Sequence, residues 1–440
     1  LYTMSARVYE GDLGDMDSAV KHYRTVLTID PNALHAAESL ERIFQAAERY
    51  QELSQILQQK ADILDDPNDK KTALFAAASI EEDILQRHDA AIAVYTRVLE
   101  LDSEDLRAID ALIKLYLNLS RWQDLLAVYS RKADLVGDPD EKKGIYYQIG
   151  AVYERELADV PRAIDTYQRV LELDPVDVQA LGRLDVLYQM AQNWAELLSV
   201  LQQESELASD PMEAISYQYR IAELYEKRLD DTARAIELYR DLHAQMPDHE
   251  PTLTALEGIK NGPREALGAA LVLEPIYDAA GEWAKLVSVL EVQVRSAEDA
   301  YQKVDLLHRI ARLYEEMLGD HASSFETYAR AVACDSANED SLANHERLGS
   351  AIGRWADVAR LYDQELEKLG ENPQAFVDLG LRLANIFETQ LEDVDNAIAR
   401  YRRVLAVDAE NQTAVRALDR LFSMTERWAD LAQIRAREAE

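Results

Sequence analysis

The sequence YYQIGAVYERELADVPRAIDTYQRVLELDP, residues 146–175, decides the fold. Its first part spaces large apolar residues at i, i+3 and i+7, which predicts one buried stripe on a helix: Tyr146, Ile149 and Tyr153. Its second part predicts another helix, on which the small Ala163 permits a close crossing and Tyr167 fills the gap. Pro175 ends this helix, because proline cannot continue it. The stretch is therefore a helical hairpin, which needs neighbours to bury its apolar face.

The same hairpin recurs along the whole chain. Tyr167 belongs to a series with successive steps of 72, 72, 72, 89 and 73 residues: Tyr23, Tyr95, Tyr167, Tyr239, Tyr328 and Tyr401. A second kind of hairpin alternates with the first, and each copy carries one aromatic residue at a shared position: Tyr50, Trp122, Trp194, Trp283, Trp355 and Trp428. The repeating block is therefore two hairpins, or four helices.

This pattern resembles the tetratricopeptide repeat (TPR), a helix–turn–helix unit of about 34 residues. The resemblance covers essentially all 440 residues. It implies an all-α, right-handed superhelical solenoid of alternating helical hairpins, about twelve in number. The paired-hairpin period and the segment Leu273–Trp283 also resemble very long TPR proteins common in bacteria, in which such arrays organise multiprotein assemblies. We therefore expect one solenoid over 1–440, uncapped at both ends, as a fragment of a longer array.

One segment breaks the period. Residues 1–247 form regular blocks, residues 248–280 hold an insertion with an extra helical segment, and regular blocks resume over 281–440. Pro275 lies within a helix predicted to reach Ala280, and we expect it to kink or interrupt that helix. The inserted turns also predict a bend or change of pitch near Asn261–Pro275, which superposition of the blocks on either side would test.

Charge restricts the partners. The chain has 47 Lys and Arg against 82 Asp and Glu, a net charge of −35, which repels nucleic-acid phosphates and anionic lipids. We expect other proteins, or further copies or segments of the same chain, as partners, with no nucleic acid, membrane insertion or small-molecule substrate. With no bilayer-spanning stretch, the default location is cytoplasmic; the periplasm stays open because sequence could precede Leu1. The single cysteine, Cys334, is expected to be a small buried residue.

No motif for chemistry is present. The sequence contains no H-E-x-x-H, C-x-x-C, P-loop or strand-linked G-x-G-x-x-G pattern. Its eight histidines are scattered rather than clustered. We therefore expect a non-enzymatic chain with no catalytic residues, no metal site and no cofactor.

A glutamate follows the position of Tyr153 in all six first-kind hairpins: Glu10, Glu82, Glu154, Glu226, Glu315 and Glu388. The resemblance implies that this position faces the concave groove. A basic residue follows four of them after 32 residues, and we interpret these as ion pairs between hairpins: Glu10–Arg42, Glu82–Lys114, Glu315–Arg347 and Glu388–Arg420. The residue 32 positions after Glu154 is Val186, and Glu226 has no basic residue in the corresponding place. Both glutamates are therefore expected to lack a basic partner.

Seven residues form the candidate partner-binding site: Tyr147, Glu154, Gln179, Val186, Gln189, Tyr219 and Glu226. Tyr147 and Tyr219 either present rings for cation–π contact beside the two carboxylates or pack on neighbouring helices. We predict a scaffold or adaptor that binds a basic or extended partner segment in an acidic concave groove, within a multiprotein assembly. The alternative is a structural rod that oligomerises side by side or end to end without a groove ligand.

Overall fold

The computed structural model describes residues 1–369 and 372–438, with side chains up to Arg435. The predicted solenoid over 1–440 therefore includes four residues, 370–371 and 439–440, that lie outside the described residues. The chain divides into two compact units, Leu1–Ala214 and Ile215–Glu440. Both consist of α-helices, and neither described range contains a strand. The predicted all-α, TPR-like fold class is confirmed.

Successive helices of the first unit pack as antiparallel pairs. They are α1 (Tyr2–Gly11), α2 (Met16–Ile29), α3 (Leu34–Ala46), α4 (Tyr50–Ile63), α5 (Pro67–Ser79), α6 (His88–Leu101), α7 (Leu106–Asn118), α8 (Trp122–Leu135), α9 (Pro139–Ala151), α10 (Val160–Leu173), α11 (Val178–Ala191) and α12 (Trp194–Leu207). Helices α5 and α9 run directly into π-helical turns at Ile80–Ile84 and Val152–Glu156.

The second unit continues the same alternation. Helix α13 (Pro211–Lys227) begins four residues before the division at Ala214 and lies mostly in the second unit. The other helices of this unit are α14 (Thr232–Gln245), α15 (Glu250–Lys260), α16 (Ala266–Ala280), α17 (Trp283–Ser296), α18 (Ala300–Arg312), α19 (His321–Cys334), α20 (Glu339–Ala351), α21 (Trp355–Lys368), α22 (Pro373–Thr389), α23 (Val394–Val407), α24 (Gln412–Met424) and α25 (Trp428–Glu438). A third π-helical turn, Leu313–Met317, follows α18.

Aspartate–proline pairs start several helices. The Asp66 carboxylate accepts hydrogen bonds from the backbone N–H groups of Asn68 and Asp69, at 2.7 and 3.2 Å, and Pro67 occupies the first helical position of α5. Asp138 caps α9 in the same way, 72 residues later. The cap satisfies N–H groups that have no partner inside the helix, and proline loses nothing there because its missing N–H would be free.

The six repeated tyrosines form the centres of their hairpins. Each is at least 93% buried, as predicted, with exposed fractions of 1, 7, 2, 0, 2 and 4% for Tyr23, Tyr95, Tyr167, Tyr239, Tyr328 and Tyr401. A Cβ on Gly150 would lie only 2.7 Å from Cζ of Tyr167. Glycine at this position of α9 therefore lets α10 approach closely, and the tyrosine ring occupies the space that a side chain would take.

Two local expectations need correction. Helix α16 runs through Pro275 without interruption, whereas a kink at Pro275 stays a prediction. The carbonyl that loses its partner belongs to Leu271, an exposed residue, so solvent can satisfy it. Cys334 is exposed rather than buried, because it is the last residue of α19, beyond the packed part of the helix. The extra helical segment of the insertion is present as α15 and α16, whereas the bend near Asn261–Pro275 stays a prediction.

Candidate functional site

The repeated glutamates bond to the buried tyrosines. Five accept a hydrogen bond at Oε2 from the tyrosine hydroxyl 13 residues later: Glu10–Tyr23 (2.8 Å), Glu82–Tyr95 (3.1 Å), Glu154–Tyr167 (3.0 Å), Glu226–Tyr239 (2.9 Å) and Glu388–Tyr401 (3.1 Å). Burial and the bond to Glu154 raise the pKa of Tyr167 to about 12. Each bond satisfies the hydroxyl of a ring that fills the hairpin core, and sequence analysis did not find it.

The four predicted ion pairs are present. Glu82 meets Lys114 at 2.7 Å and Glu315 meets Arg347 at 2.6 Å, and the Glu10–Arg42 and Glu388–Arg420 pairs also form. Arg347 contacts both carboxylate oxygens of Glu315 and lowers the pKa of that group. Three of these glutamates also accept the tyrosine bond and thus join the core of their own hairpin to the first helix of the next hairpin: Glu10, Glu82 and Glu388.

Glu154 is not the partnerless carboxylate that we expected. Arg183 Nη1 lies 3.4 Å from Glu154 Oε1. Arg183 precedes Val186 by three residues on α11, so both side chains lie on the same helical face. The pairing was missed because the prediction considered only one register, although a long arginine side chain reaches the same carboxylate from the adjacent turn.

Glu226 differs from the other five. Its Oε2 is bonded to Tyr239, but the position 32 residues later is Gly258, which has no side chain to offer. The carboxylate is half-buried. Lys227, its neighbour in sequence, bonds instead to Glu223 at 2.6 Å.

Tyr147 and Tyr219 are half-buried rather than exposed. The Tyr147 hydroxyl donates to the Asp177 carboxylate, and the ring centroid lies 5.9 Å from that of Tyr167. The Tyr219 centroid lies 5.7 Å from that of Tyr239. Burial, followed by the bond to Asp177, raises the pKa of Tyr147 above its ordinary range. The rings therefore pack within the array, and only part of each ring remains accessible.

Helix α11 presents a largely uncharged surface, which we call the α11 face: Gln179, Val186, Gln189 and Met190. All four are exposed, with exposed fractions of 53% for Val186 and 65% for Met190. Gln189 Nε2 donates to Asp185 Oδ1 at 2.8 Å, which leaves its amide oxygen available as an acceptor. In the other regular blocks, the position of Val186 carries the basic residue of the glutamate pair.

A lysine clamp recurs between hairpins of the first unit. Lys143 Nζ lies 2.9 Å from Asp174 and 3.1 Å from Asp177. Lys71 meets Asp102 and Asp105 at 2.7 and 3.1 Å in the preceding block. The aspartates hold the pKa of Lys143 above its usual range. The lysine and its two aspartates recur 72 residues apart, so the sequence already contained this pattern. These contacts show that much of the recurring charge forms ion pairs within the array.

Comparison with protein families identifies the repeat. Models described as "Tetratricopeptide repeat" match residues 1–33, 36–71, 145–175 and 216–249. The chain contains tetratricopeptide repeats. Each matched segment includes all or part of the first helix of a hairpin: α1, α3, the end of α9 and α13.

Several solved TPR and related structures are similar to the chain. A structure titled "Structure of Naa15/Naa10 bound to HypK-THB" aligns over 99% of this chain and 74% of that one, with 14% identity and a TM-score of 0.32. YrrB, titled "a TPR protein with an unusual peptide-binding site", aligns over 42% and 91%, with 20% identity and a TM-score of 0.25. The P58(IPK) TPR domain aligns over 81% and 99%, with 15% identity and a TM-score of 0.23. A search of curated proteins found no match.

The repeats support a role as a protein–protein interaction scaffold, since stacked hairpins build extended surfaces for partners. No helix in the described ranges is both long and apolar enough to cross a bilayer. Among the same residues, no three His, Cys, Asp or Glu side chains are grouped as metal ligands would be.

Proposed function

We propose that the chain is a non-enzymatic scaffold that binds an extended, basic segment of a partner protein. The contact surface in the first unit is the α11 face together with Tyr147 and Glu154. In the second unit, Tyr219 and Glu226 form a separate contact. The observation that carries the proposal is the replacement, on α11, of the recurring basic residue by the exposed Val186.

The glutamates that recur in the first-kind hairpins are mostly bonded within the array. Glu82 illustrates this, because Tyr95 takes one of its carboxylate oxygens and Lys114 takes the other. A partner that recognises one place on the array must therefore contact residues that depart from the repeat. Val186 departs most clearly, since it replaces a cation with an exposed apolar side chain.

The chemistry of the α11 face suits an extended segment. Side-chain amides carry both donors and acceptors, as a peptide backbone does, so Gln179 and Gln189 can bond to backbone groups. Val186 and Met190 offer apolar contact to a side chain. Glu154 is only loosely held by Arg183, at 3.4 Å, and 23% of its side chain is exposed. A cationic side chain can therefore compete for that carboxylate.

Restoring the basic residue of the repeat at position 186 is expected to weaken this binding. In Val186→Arg, the new guanidinium would pair with Glu154, as Arg42 pairs with Glu10, and would repel a cationic segment. The probe is a labelled, capped ten-residue peptide of alternating leucine and arginine, titrated against the full chain by fluorescence anisotropy. We expect Val186→Arg and Glu154→Gln each to weaken binding about tenfold or more, the size of one charge-assisted hydrogen bond. Added salt should weaken it further.

Glu82→Gln is the matched control, because Glu82 has the same position and the same tyrosine bond but a close lysine partner. It should leave peptide affinity nearly unchanged. Equal losses from Glu82→Gln and Glu154→Gln, or an affinity indifferent to salt, would reject the α11 face and favour the structural rod.

A further inference from the structure

Three of the recurring glutamates have two partners each, and each partner takes a different carboxylate oxygen. At Glu82, the Tyr95 hydroxyl donates to Oε2 at 3.1 Å, and Lys114 Nζ donates to Oε1 at 2.7 Å. The tyrosine also takes Oε2, and an arginine takes Oε1, at two other glutamates: Glu10 with Tyr23 and Arg42, and Glu388 with Tyr401 and Arg420. A basic side chain of the next hairpin is thus the usual partner of the second oxygen.

Glu226 has only the first of these two partners. Tyr239 donates to its Oε2 at 2.9 Å, and among the described residues no donor bonds to its Oε1. The place of the basic residue, 32 positions later, is taken by Gly258 on α15. The arginine that reaches the preceding glutamate from the adjacent turn, Arg183, has Ala255 as its counterpart. Neither position on α15 can therefore supply the missing cation.

Helix α15 keeps the register that places Gly258 beside this carboxylate. The Tyr219 ring contacts the His249 ring at the start of α15, with 5.4 Å between the centroids. In the preceding block, Tyr147 bonds to Asp177 at the start of α11 in the equivalent contact. A Cβ added to the exposed Gly258 would meet no atom within 4 Å beyond the backbone of its own helix. The space that a basic side chain fills in four other blocks is therefore open here.

No ion pair to Glu226 forms among the described residues. Three basic residues near Glu226 or Gly258 in the sequence bond to other groups: Lys227 to Glu223, Lys260 to Ser288 and Arg264 to Asp230. The charge of Glu226 acts on Lys227 less strongly than that of Glu223 does. Burial, followed by the charge of Glu226, raises the pKa of Tyr239, whereas a neighbouring arginine opposes the rise in pKa at the other five repeated tyrosines. Glu226 is therefore the recurring glutamate that lacks a compensating charge.

We propose that Glu226 binds an arginine side chain of a partner segment that crosses α15 at Gly258. The guanidinium donates to Oε1 while Tyr239 keeps Oε2, which reproduces the division of oxygens at the other glutamates. Glycine at position 258 lets the backbone of the segment approach the helix closely. This proposal rests on the proposed scaffold function and names the side chain that the second unit recognises.

Arginine suits this place better than lysine. Tyr219 and Glu226 both contact Tyr239, so the accessible part of the Tyr219 ring lies near the carboxylate. A guanidinium can bond to a carboxylate and lie against an aromatic ring at once, because it is planar and carries several donors. Arginine is also the basic partner in three of the four pairs found at this position of the repeat. We call Glu226, Gly258 and Tyr219 the arginine site.

The probe is a labelled, capped peptide of alternating serine and leucine with one central arginine, compared with the same peptide carrying citrulline, a neutral analogue of similar shape. Both are titrated by fluorescence anisotropy against the full chain carrying Val186→Arg, so that the α11 face does not contribute. The arginine peptide should bind about tenfold more tightly, the size of one charge-assisted hydrogen bond. A peptide with lysine at the same place should bind less tightly than the arginine peptide.

Glu226→Gln should remove the preference for arginine over citrulline. Glutamine keeps an acceptor for the Tyr239 hydroxyl, so the variant changes the charge and retains the core bond. Glu82→Gln, the matched control, should preserve the preference, because Glu82 is already paired with Lys114.

Gly258→Arg tests the same place without a peptide. The new side chain should pair with Glu226 and raise the hydrogen-exchange protection of α13 and α15 about threefold above that of Gly258→Gln, the size of an exposed ion pair. Gly258→Gln is the control because it gives a similar gain in helix propensity without a charge. The difference between the two variants should vanish when each is combined with Glu226→Gln.

Four results would overturn the proposal: equal binding of the arginine peptide and either the citrulline or the lysine peptide, no binding of the arginine peptide at about 1 mM, equal losses from Glu226→Gln and Glu82→Gln, or equal protection in Gly258→Arg and Gly258→Gln. The α11 face is judged separately, by the effect of Val186→Arg on the peptide of alternating leucine and arginine. Either site can therefore fail without the other.

Discussion

Replacing Tyr167 with alanine is expected to destabilise the surrounding hairpins by about 3–5 kcal/mol, by analogy with Phe→Ala in packed cores. The ring is 98% buried (2% exposed) and occupies the space above Gly150. Its removal leaves a cavity that the two helices cannot close without moving. Tyr167→Phe keeps the ring and loses only the bond to Glu154, so its cost should be about 1 kcal/mol.

Hydrogen exchange is the suitable measurement, because a long repeat array does not unfold in one step. We expect lost protection in α9 and α10 and in the adjacent hairpins, since each repeat contacts only its neighbours. Tyr301→Ala is the control, as 79% of that side chain is exposed, and it should change stability by less than about 0.5 kcal/mol. A Tyr167→Ala variant as stable as Tyr301→Ala would contradict the assignment of the tyrosine series to the hairpin cores.

The fold was predictable because the same pattern of core residues recurs several times in the sequence. The spacing of Tyr23, Tyr95 and Tyr167 gives three independent copies of one constraint, and each copy is buried as expected. Pairing between hairpins was also predictable where the same register held, as in Glu82–Lys114. In a repeat, contacts between neighbouring hairpins recur at one fixed sequence separation. Such contacts can therefore be recognised from the sequence alone.

The candidate site was less predictable, because it depends on departures from the repeat. Arg183 reaches Glu154 from a different turn of α11, and side-chain reach is not encoded in a fixed spacing. The partial burial of Tyr147 depends on Asp177 and Tyr167, which belong to two other helices.

Acidification is expected to destabilise the second unit through His345. The ring is 1% exposed, and within the described residues neither of its nitrogens has a hydrogen-bond partner. It stacks on Phe325 at 4.4 Å and lies 5.8 Å from the Tyr362 ring. Burial, reinforced by the Arg354 cation and only partly offset by Asp357, lowers its pKa from 6.5 to about 4.

The direction of this pH effect on stability follows from which state, folded or unfolded, binds the proton more readily. Below pH 6.5 the unfolded chain protonates this histidine, whereas the folded chain keeps it neutral until about pH 4. Stability is therefore full above pH 6.5 and falls as the pH drops through this window. A pKa difference of this size corresponds to a loss of about 3 kcal/mol by the lower end.

His345→Leu is the decisive variant. The other regular blocks carry leucine at this position: Leu40, Leu112, Leu184 and Leu418. Leucine fits the same apolar surroundings without a titratable group, so the variant should be more stable than the natural chain at pH 5 and should show a smaller loss between pH 6.5 and 4. Hydrogen exchange of α20, followed in both proteins across this pH range, measures the difference in local stability directly. The comparison cancels the contributions of other groups, including the half-buried His308, whose pKa is also lowered by burial. Parallel pH profiles for the two proteins would show that the buried imidazole does not set the acid sensitivity of this unit.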